Sequence, residues 1–230
     1  MDVGIPESTA VGMLIVIVAI PIVTIIGAYL IGSIPFGYVV GRFFYHTDIR
    51  AAGSGNIGAM NALRTLGKGG AVVVLLLDAL KGFVPVLWAL TFFRGHLDLE
   101  GFPPIEQVMG ALVAAGAVLG HCFSPWLRFK GGKGVATSFG ALLGLCWPAG
   151  LGAVGGWIAG ATLTRYSSVG SLFGSVLAPF AIWIICGSIP ETAYGVFAAL
   201  LIIFTHRENI ARLRAGTEGP IRLRKNSLSP

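Results

Sequence analysis

Residues 135–164 read VATSFGALLGLCWPAGLGAVGGWIAGATLT, a stretch without a single charge. How often it crosses a membrane decides the topology of the whole chain. As one α-helix it would be about 45 Å long, at about 1.5 Å per residue, against a hydrocarbon core of about 30 Å. That is too long for one upright span and short for two. Pro148, Ala149 and Gly150 offer a turn in the middle, so two short spans, 134–148 and 150–165, are a workable reading.

Outward from this stretch, apolar runs predict further spans at 12–42, 71–93, 105–123, 169–187 and 191–206. The first is over-long, and Pro21 and Pro35 mark points where it can kink. It is not a signal peptide. Asp2 and Glu7 are the only charges before it, and its first cation, Arg42, sits at the far end; that flank suits a helix with its N-terminus outside.

Charge parity settles the count. With seven spans and the N-terminus outside, the internal segments are 42–70, 124–133, 165–168 and 206–230. These hold every lysine and arginine except Arg94, which falls outside, and Lys81, which falls within a span. Merging 135–164 into one span would put the basic tail, with Arg222, Arg224 and Lys225, on the outer side, against the positive-inside rule. The expected fold is therefore all-α and integral to the membrane, a bundle of seven transmembrane helices with the N-terminus outside and the C-terminus cytoplasmic.

Composition agrees. The chain is 55% hydrophobic and only 11% charged, with a mean hydropathy of +0.82, where a soluble domain is about 25% charged. A net charge of +6 raises the question of nucleic acid, but the cations follow the membrane rather than a binding arm, and no nucleic-acid partner is expected. Cys122, Cys146 and Cys186 all lie in apolar runs and read as packing residues, without a disulfide framework or a metal site. Glycines recur at a spacing of four, as in Gly37/Gly41, Gly116/Gly120, Gly140/Gly144, Gly152/Gly156/Gly160 and Gly170/Gly174. That spacing lets helices approach closely in lipid and predicts a tight bundle.

Three polar, glycine-rich stretches, 47–70, 121–138 and 206–218, fall on the same membrane face by this topology. The first contains Gly53, Gly55 and Gly58 as a literal G-x-G-x-x-G, with Asp78 twenty positions on. A Rossmann site needs a preceding strand and a parallel sheet, which have no place among membrane spans. A nest-like anion cradle needs neither: Gly53, Ser54, Gly55 and Asn56 carry backbone donors, a hydroxyl and an amide, with Asn61 and Arg64 close by. In the second stretch, Lys130, Gly131, Gly132 and Lys133 lead into a helix, whose N-terminus favours anions. A Walker A loop is excluded, because Lys68 and Lys133 are each followed by glycine. In the third, His206 and Asn209 share a helix face, with Arg212 one turn on.

Charge alone accounts for Arg50, Lys68, Arg207, Arg214 and the 222–225 cluster as solvated loop residues. It does not account for the neutral Ser54, Asn56, Asn61 and Asn209. No His-x4-Asp acyltransferase pattern and no repeated acidic array for Mg²⁺ is present, so neither cofactor nor metal is expected. Asp78 and Lys81 share a face inside a span, where an unpaired charge costs about 2.5–3.5 kcal/mol; they are expected to pair within the bundle. His121 is open between a ligand-side and an interfacial role, and His46 and His96 read as loop residues.

Taken together, GSIPFGYVVGR (32–42), DIRAAGSGNIGAMN (48–61), LDALKG (77–82), GHCFSPWLRFKGGKGVAT (120–137) and HRENIARL (206–213) resemble the bacterial membrane acyl-phosphate:glycerol-3-phosphate acyltransferases. The resemblance spans nearly the whole chain in the family's order. It implies a multi-pass protein of the bacterial inner membrane, a single domain over 1–230 with an active site on the cytoplasmic face. It also implies transfer of a fatty acyl group from acyl phosphate to the 1-hydroxyl of glycerol 3-phosphate, which yields 1-acyl-glycerol 3-phosphate and phosphate. The enzyme that makes acyl phosphate is then a natural partner. Matched position by position, Ser54, Arg64, Lys133, His206 and Asn209 are where such enzymes hold phosphate or act in the reaction. Ser54, Lys133, His206 and Asn209 are expected to carry catalysis, and Gly131 and Gly132 to supply backbone donors. Gly53, Gly55, Asn56, Asn61 and Lys130, from the polar stretches, complete the expected substrate-binding set. Met60 departs from the family's usual threonine, and the segments 1–23 and 219–230 carry no assignment. Two rivals stand beside this reading: a transporter of a phosphorylated metabolite, which would need polar groups along the whole path through the bilayer, and a scaffold for anionic lipid.

Overall fold

The computed structural model describes residue 12 and residues 18–95 and 101–221. Among them every long element is a helix: α1 (Ile20–Ser33), α2 (Phe36–Phe44), α3 (Ala59–Thr65), α4 (Gly67–Phe92), α5 (Ile105–Cys122), α6 (Val135–Leu145), α7 (Trp147–Thr164), α8 (Ser167–Cys186), α9 (Ile189–Thr205) and α10 (Arg207–Arg214). Short 3-10 turns occupy Ile49–Ala51 and Pro125–Leu127. His96, Arg222, Arg224 and Lys225 lie outside the described residues, as do Asp2 and Glu7.

Three helices are long and apolar enough to cross a membrane, and bent pairs raise the number to five: α1 with α2, bent by 40°, and α9 with α10, bent by 58°. α6, a shorter apolar helix, and α7 make up the uncharged stretch. The break between them falls at Cys146, earlier than expected. Pro148 does not make the turn but sits in the first turn of α7, where its missing N–H has no intrahelical partner to lose. Pro21 likewise sits in the first turn of α1. Pro35, by contrast, does break the first span. The carbonyls freed there are taken up by side chains: Ser124 Oγ donates to Ser33 O at 2.6 Å and Lys81 Nζ to Ile34 O at 2.8 Å.

The bundle is small-residue inside and large-residue outside. Ala89, Val113, Ala114, Ala117, Ala141 and Ala149 are fully buried, while Leu163, Ile184, Phe180 and Leu200 are exposed on the outer surface. That distribution suits a surround of lipid, where close backbone packing rather than water exclusion joins helices. Most of the four-spaced glycines serve it: a Cβ on Gly140 would collide with the Ala79 carbonyl, on Gly120 with that of Tyr29, and on Gly160 it would lie 2.9 Å from Gly170 Cα. Gly37 and Gly41 instead seat the 47–57 loop, and Gly152 meets nothing.

The cysteines need a correction. Cys122 is free and buried, but Cys146 and Cys186 are joined by a disulfide with Cα atoms 6.6 Å apart. It ties the α6–α7 break to the end of α8. A pairing across 40 residues of sequence depends on which helix ends meet, and apolar flanks carry no sign of that.

Candidate active site

The first polar stretch is built around one side chain. Asp48 accepts from Arg50 N at 3.0 Å to open the Ile49–Ala51 turn, and its carboxylate pairs with the Arg50 guanidinium, which lies 4.3 Å from the Tyr38 ring. Gly53 and Gly55 then take φ of 62° and 70° and curl the chain around Asn61, conformations that glycine adopts without a Cβ penalty. Asn61, 2% exposed, donates from Nδ2 to the carbonyls of Ile49, Ala52 and Asn56 and accepts at Oδ1 from Ser54 N at 2.8 Å. Its amide is consumed inside the loop, so the expected substrate contact becomes an internal support. Asn56 Oδ1 likewise accepts from Gly58 N, at 2.9 Å, just ahead of α3. The Ser54 side chain is left on the exposed side, as is Arg64 in the last turn of α3. Met60 is half-buried in the first turn of α3 and puts no hydroxyl there.

The second stretch turns its glycines the other way. Gly131 N donates to Cys122 O and Gly132 N to His121 O, both at 3.0 Å. These N–H groups close the loop onto the end of α5, so the backbone donors expected for substrate are engaged within the loop. Arg128 and Phe129, both at positive φ, carry the preceding reversal. Lys130 is exposed, whereas Lys133 is half-buried and points its ammonium at Asn209 Oδ1. The Lys133 carbonyl accepts from Thr205 Oγ1 at 3.0 Å. Gly134, at φ 83°, then starts α6, whose first N–H groups have no intrahelical acceptor.

His206 lies at the junction just beyond α9 and Asn209 on α10, 3% and 7% exposed. His206 Nδ1 is 2.8 Å from Ile202 O. A carbonyl only accepts, so Nδ1 carries the proton and Nε2 is left as an acceptor. Burial, with the Lys133 ammonium adding to it, pushes the imidazole down to about 4, so it is neutral at physiological pH. Burial also pulls the Lys133 ammonium below the ordinary lysine range; the Arg212 guanidinium reinforces this, and Glu218 and Glu208 oppose it.

One residue of this cluster is absent from the sequence-based site. Glu218 accepts from Ser168 Oγ (2.8 Å), Asn209 Nδ2 (2.7 Å) and Arg212 Nε (2.7 Å). Burial alone would raise its carboxyl, but these three donors outweigh it and hold it below the usual carboxylate range. By taking the Asn209 amide nitrogen, Glu218 aims Oδ1 at Lys133. No helical spacing could reveal this, because Gly216, at φ 68°, turns the chain back after α10.

The three stretches converge at one end of the bundle. Lys133 meets Asn209, Arg64 Nη2 lies 3.5 Å from Gly219 O, and Ile221 N donates to Arg165 O at 2.8 Å. The class that emerges is an all-helical membrane protein with a half-buried lysine, a neutral histidine and an aligned amide gathered beside arginines, a set that suits phosphorylated substrates. Comparison with known proteins gives the family. The glycerol-3-phosphate acyltransferase model matches residues 22–216. The glycerol-3-phosphate acyltransferase of Synechococcus sp. (strain JA-3-3Ab) is 47% identical over 84% of this chain and 89% of its own length; that of Bradyrhizobium sp. (strain BTAi1) is 46% identical over 90% and 97%. Among solved structures, PlsY (YgiH), an integral membrane glycerol 3-phosphate acyltransferase, superimposes in its glycerol 3-phosphate form with a TM-score of 0.80, at 34% identity over 88% of this chain and 96% of that one. Its lysophosphatidic acid form gives 0.78, again at 34% identity. The chain belongs to the glycerol-3-phosphate acyltransferase family and shares its integral membrane fold.

Proposed function

We propose that this chain transfers a fatty acyl group from acyl phosphate to the 1-hydroxyl of glycerol 3-phosphate, releasing phosphate and 1-acyl-glycerol 3-phosphate. The observation that carries the reading is the meeting of Lys133 and Asn209 beside a neutral His206, with Arg64 reaching the same end of the bundle. Names of relatives supply the acceptor and the reaction class; glycerol 3-phosphate and lysophosphatidic acid are named for the PlsY structures. The acyl phosphate donor is what the resemblance of the five sequence stretches implies, and the chemistry is compatible with it. Acyl phosphate is already an activated mixed anhydride, so transfer to the hydroxyl needs no acyl-enzyme intermediate.

In this reading Lys133 and Arg64 offset the repulsion between two phosphorylated substrates and stabilise the departing phosphate. Ser54, exposed on its loop, binds a phosphate oxygen. His206 Nε2 accepts the hydrogen bond of the 1-hydroxyl and orients its oxygen towards the acyl carbonyl carbon. The new C–O bond forms as the carbonyl–phosphate bond breaks. The hydroxyl proton ends on the released phosphate, directly or by way of His206. The site belongs to a single domain of seven spans in the bacterial inner membrane, N-terminus outside, with the polar end cytoplasmic and the acyl chain entering laterally from lipid.

Purified protein given acyl phosphate and labelled glycerol 3-phosphate should form labelled lysophosphatidate. Product with acyl-CoA but none with acyl phosphate would sink the donor assignment. Labelling of a cysteine placed at Lys133 from the outer side only would overturn the orientation.

A further inference from the structure

Three groups inside the bundle have no part in the transfer step: Asp78, Lys81 and His121, at 1%, 4% and 3% exposure. Lys81 Nζ lies 2.8 Å from Asp78 Oδ1, and it also donates to Ile34 O where the first span breaks. His121 Nδ1 stands 3.6 Å from the same carboxylate oxygen. Neutralising a charge in the membrane needs only the Asp78–Lys81 pair. The histidine is a third member whose far edge faces elsewhere.

That far edge faces Gly132. A Cβ on Gly132 would collide with His121 Nε2 and the ring carbons beside it, and a Cβ on Gly131 would strike the His121 carbonyl oxygen. The same carbonyl accepts from Gly132 N at 3.0 Å. Ring and carbonyl of His121 thus form the floor on which the 131–132 turn lies, and Lys133 is the next residue along. Its carbonyl is held from the other side by Thr205. The lysine backbone is therefore clamped between α5 and α9.

We propose that His121 is a positioning residue for the acyl transfer: the imidazole, packed with its Nδ1 edge towards the Asp78–Lys81 pair, sets where Gly132 delivers Lys133 to the substrate phosphates. A buried ion pair by itself is a poor source of stability, whereas a reacting constellation must be held to within about 0.5 Å. The inference rests on Lys133 being the phosphate-holding group.

The test is a double-variant cycle, assayed with acyl phosphate and glycerol 3-phosphate and scored per folded molecule after size exclusion. Gly132→Ala should lower kcat/KM about 100-fold, the cost of a displacement of about 1 Å. His121→Ala, which removes the ring, should also lower it. Combined with Gly132→Ala it should recover about tenfold over Gly132→Ala alone, because the new Cβ then has room. His121→Asn supplies a second background if His121→Ala does not fold: its amide nitrogen stands in for Nδ1, and no atom replaces Nε2. A double variant no better than Gly132→Ala in both backgrounds overturns the proposal. Lys133→Ala is the control. Wild-type activity there would overturn the site reading and this inference with it, whereas inactivity there without recovery in the cycle overturns the role of His121 alone.

Discussion

In the loop at 53–58 the glycines wrap around the Asn61 side chain, which fills the centre and takes up three carbonyls and one N–H. In the loop at 129–134 the glycines lie flat on the end of α5 and donate their own N–H groups to it. The first loop is plugged by a side chain and the second is stitched by backbone. Both leave one polar side chain directed away from the support, Ser54 in one and Lys133 in the other. The lesson concerns glycine-rich sequence in general: backbone donors that look available for phosphate can be spent on holding the turn.

This contrast can be broken or sharpened by substitution. The largest effect is expected for Lys133→Ala, about 10²–10³-fold in kcat, the scale of losing one transition-state donor; steady-state kinetics on folded protein check it. Asn61→Ala comes next. It strands buried carbonyls at about 1–3 kcal/mol each, so thermal midpoint and activity should fall together. A loss of activity with an unchanged midpoint would mean that Asn61 touches substrate and that the plug description is wrong. Gly53→Ala should cost about 1–2 kcal/mol for its left-handed backbone, with a further penalty because its Cβ would collide with Asn61 Oδ1. Gly132→Ala should lower the midpoint for a different reason, the collision of its Cβ with the buried His121 ring rather than a left-handed backbone.

A smaller effect is expected on the pH profile. Lys133 works as a cation, and its pKa is lowered, so activity is fully present below that pKa and lost as pH rises through it. The alkaline limb of kcat/KM should therefore lie below the ordinary lysine range and move upward in Lys133→Arg; an unmoved limb would assign it to another group. The smallest effect on turnover belongs to the far end of the bundle. Cys186→Ser removes a cross-link worth about 2–4 kcal/mol, so the thermal midpoint should drop while kcat stays within about twofold of wild type, as for a change far from the chemistry.

Much of the architecture was legible because lipid imposes simple rules. The expected span 169–187 is α8, Ser167–Cys186, and 105–123 is α5, Ile105–Cys122. The uncharged stretch is two helices, although its break sits at Cys146 because proline prefers to start a helix rather than precede one. The site was legible only as residue types. Lys133, His206 and Asn209 could be singled out, but the inward turn of Gly131 and Gly132 could not, since an N–H looks the same in sequence whether free or bonded. Glu218 was hidden by the reversal at Gly216, and the Cys146–Cys186 bond by the absence of any local signal.

Local and solvent-driven properties were written in the residue order: helix type and approximate length, membrane residence, and the clustering of cations at alternate ends of the spans. Each depends on hydrophobicity or charge summed over neighbours in the chain. Which atom of each polar group is left for substrate was decided only by tertiary structure. A hydrogen bond such as Glu218 to Asn209, or the seat of Gly132 on His121, joins residues that only the folded bundle brings within reach.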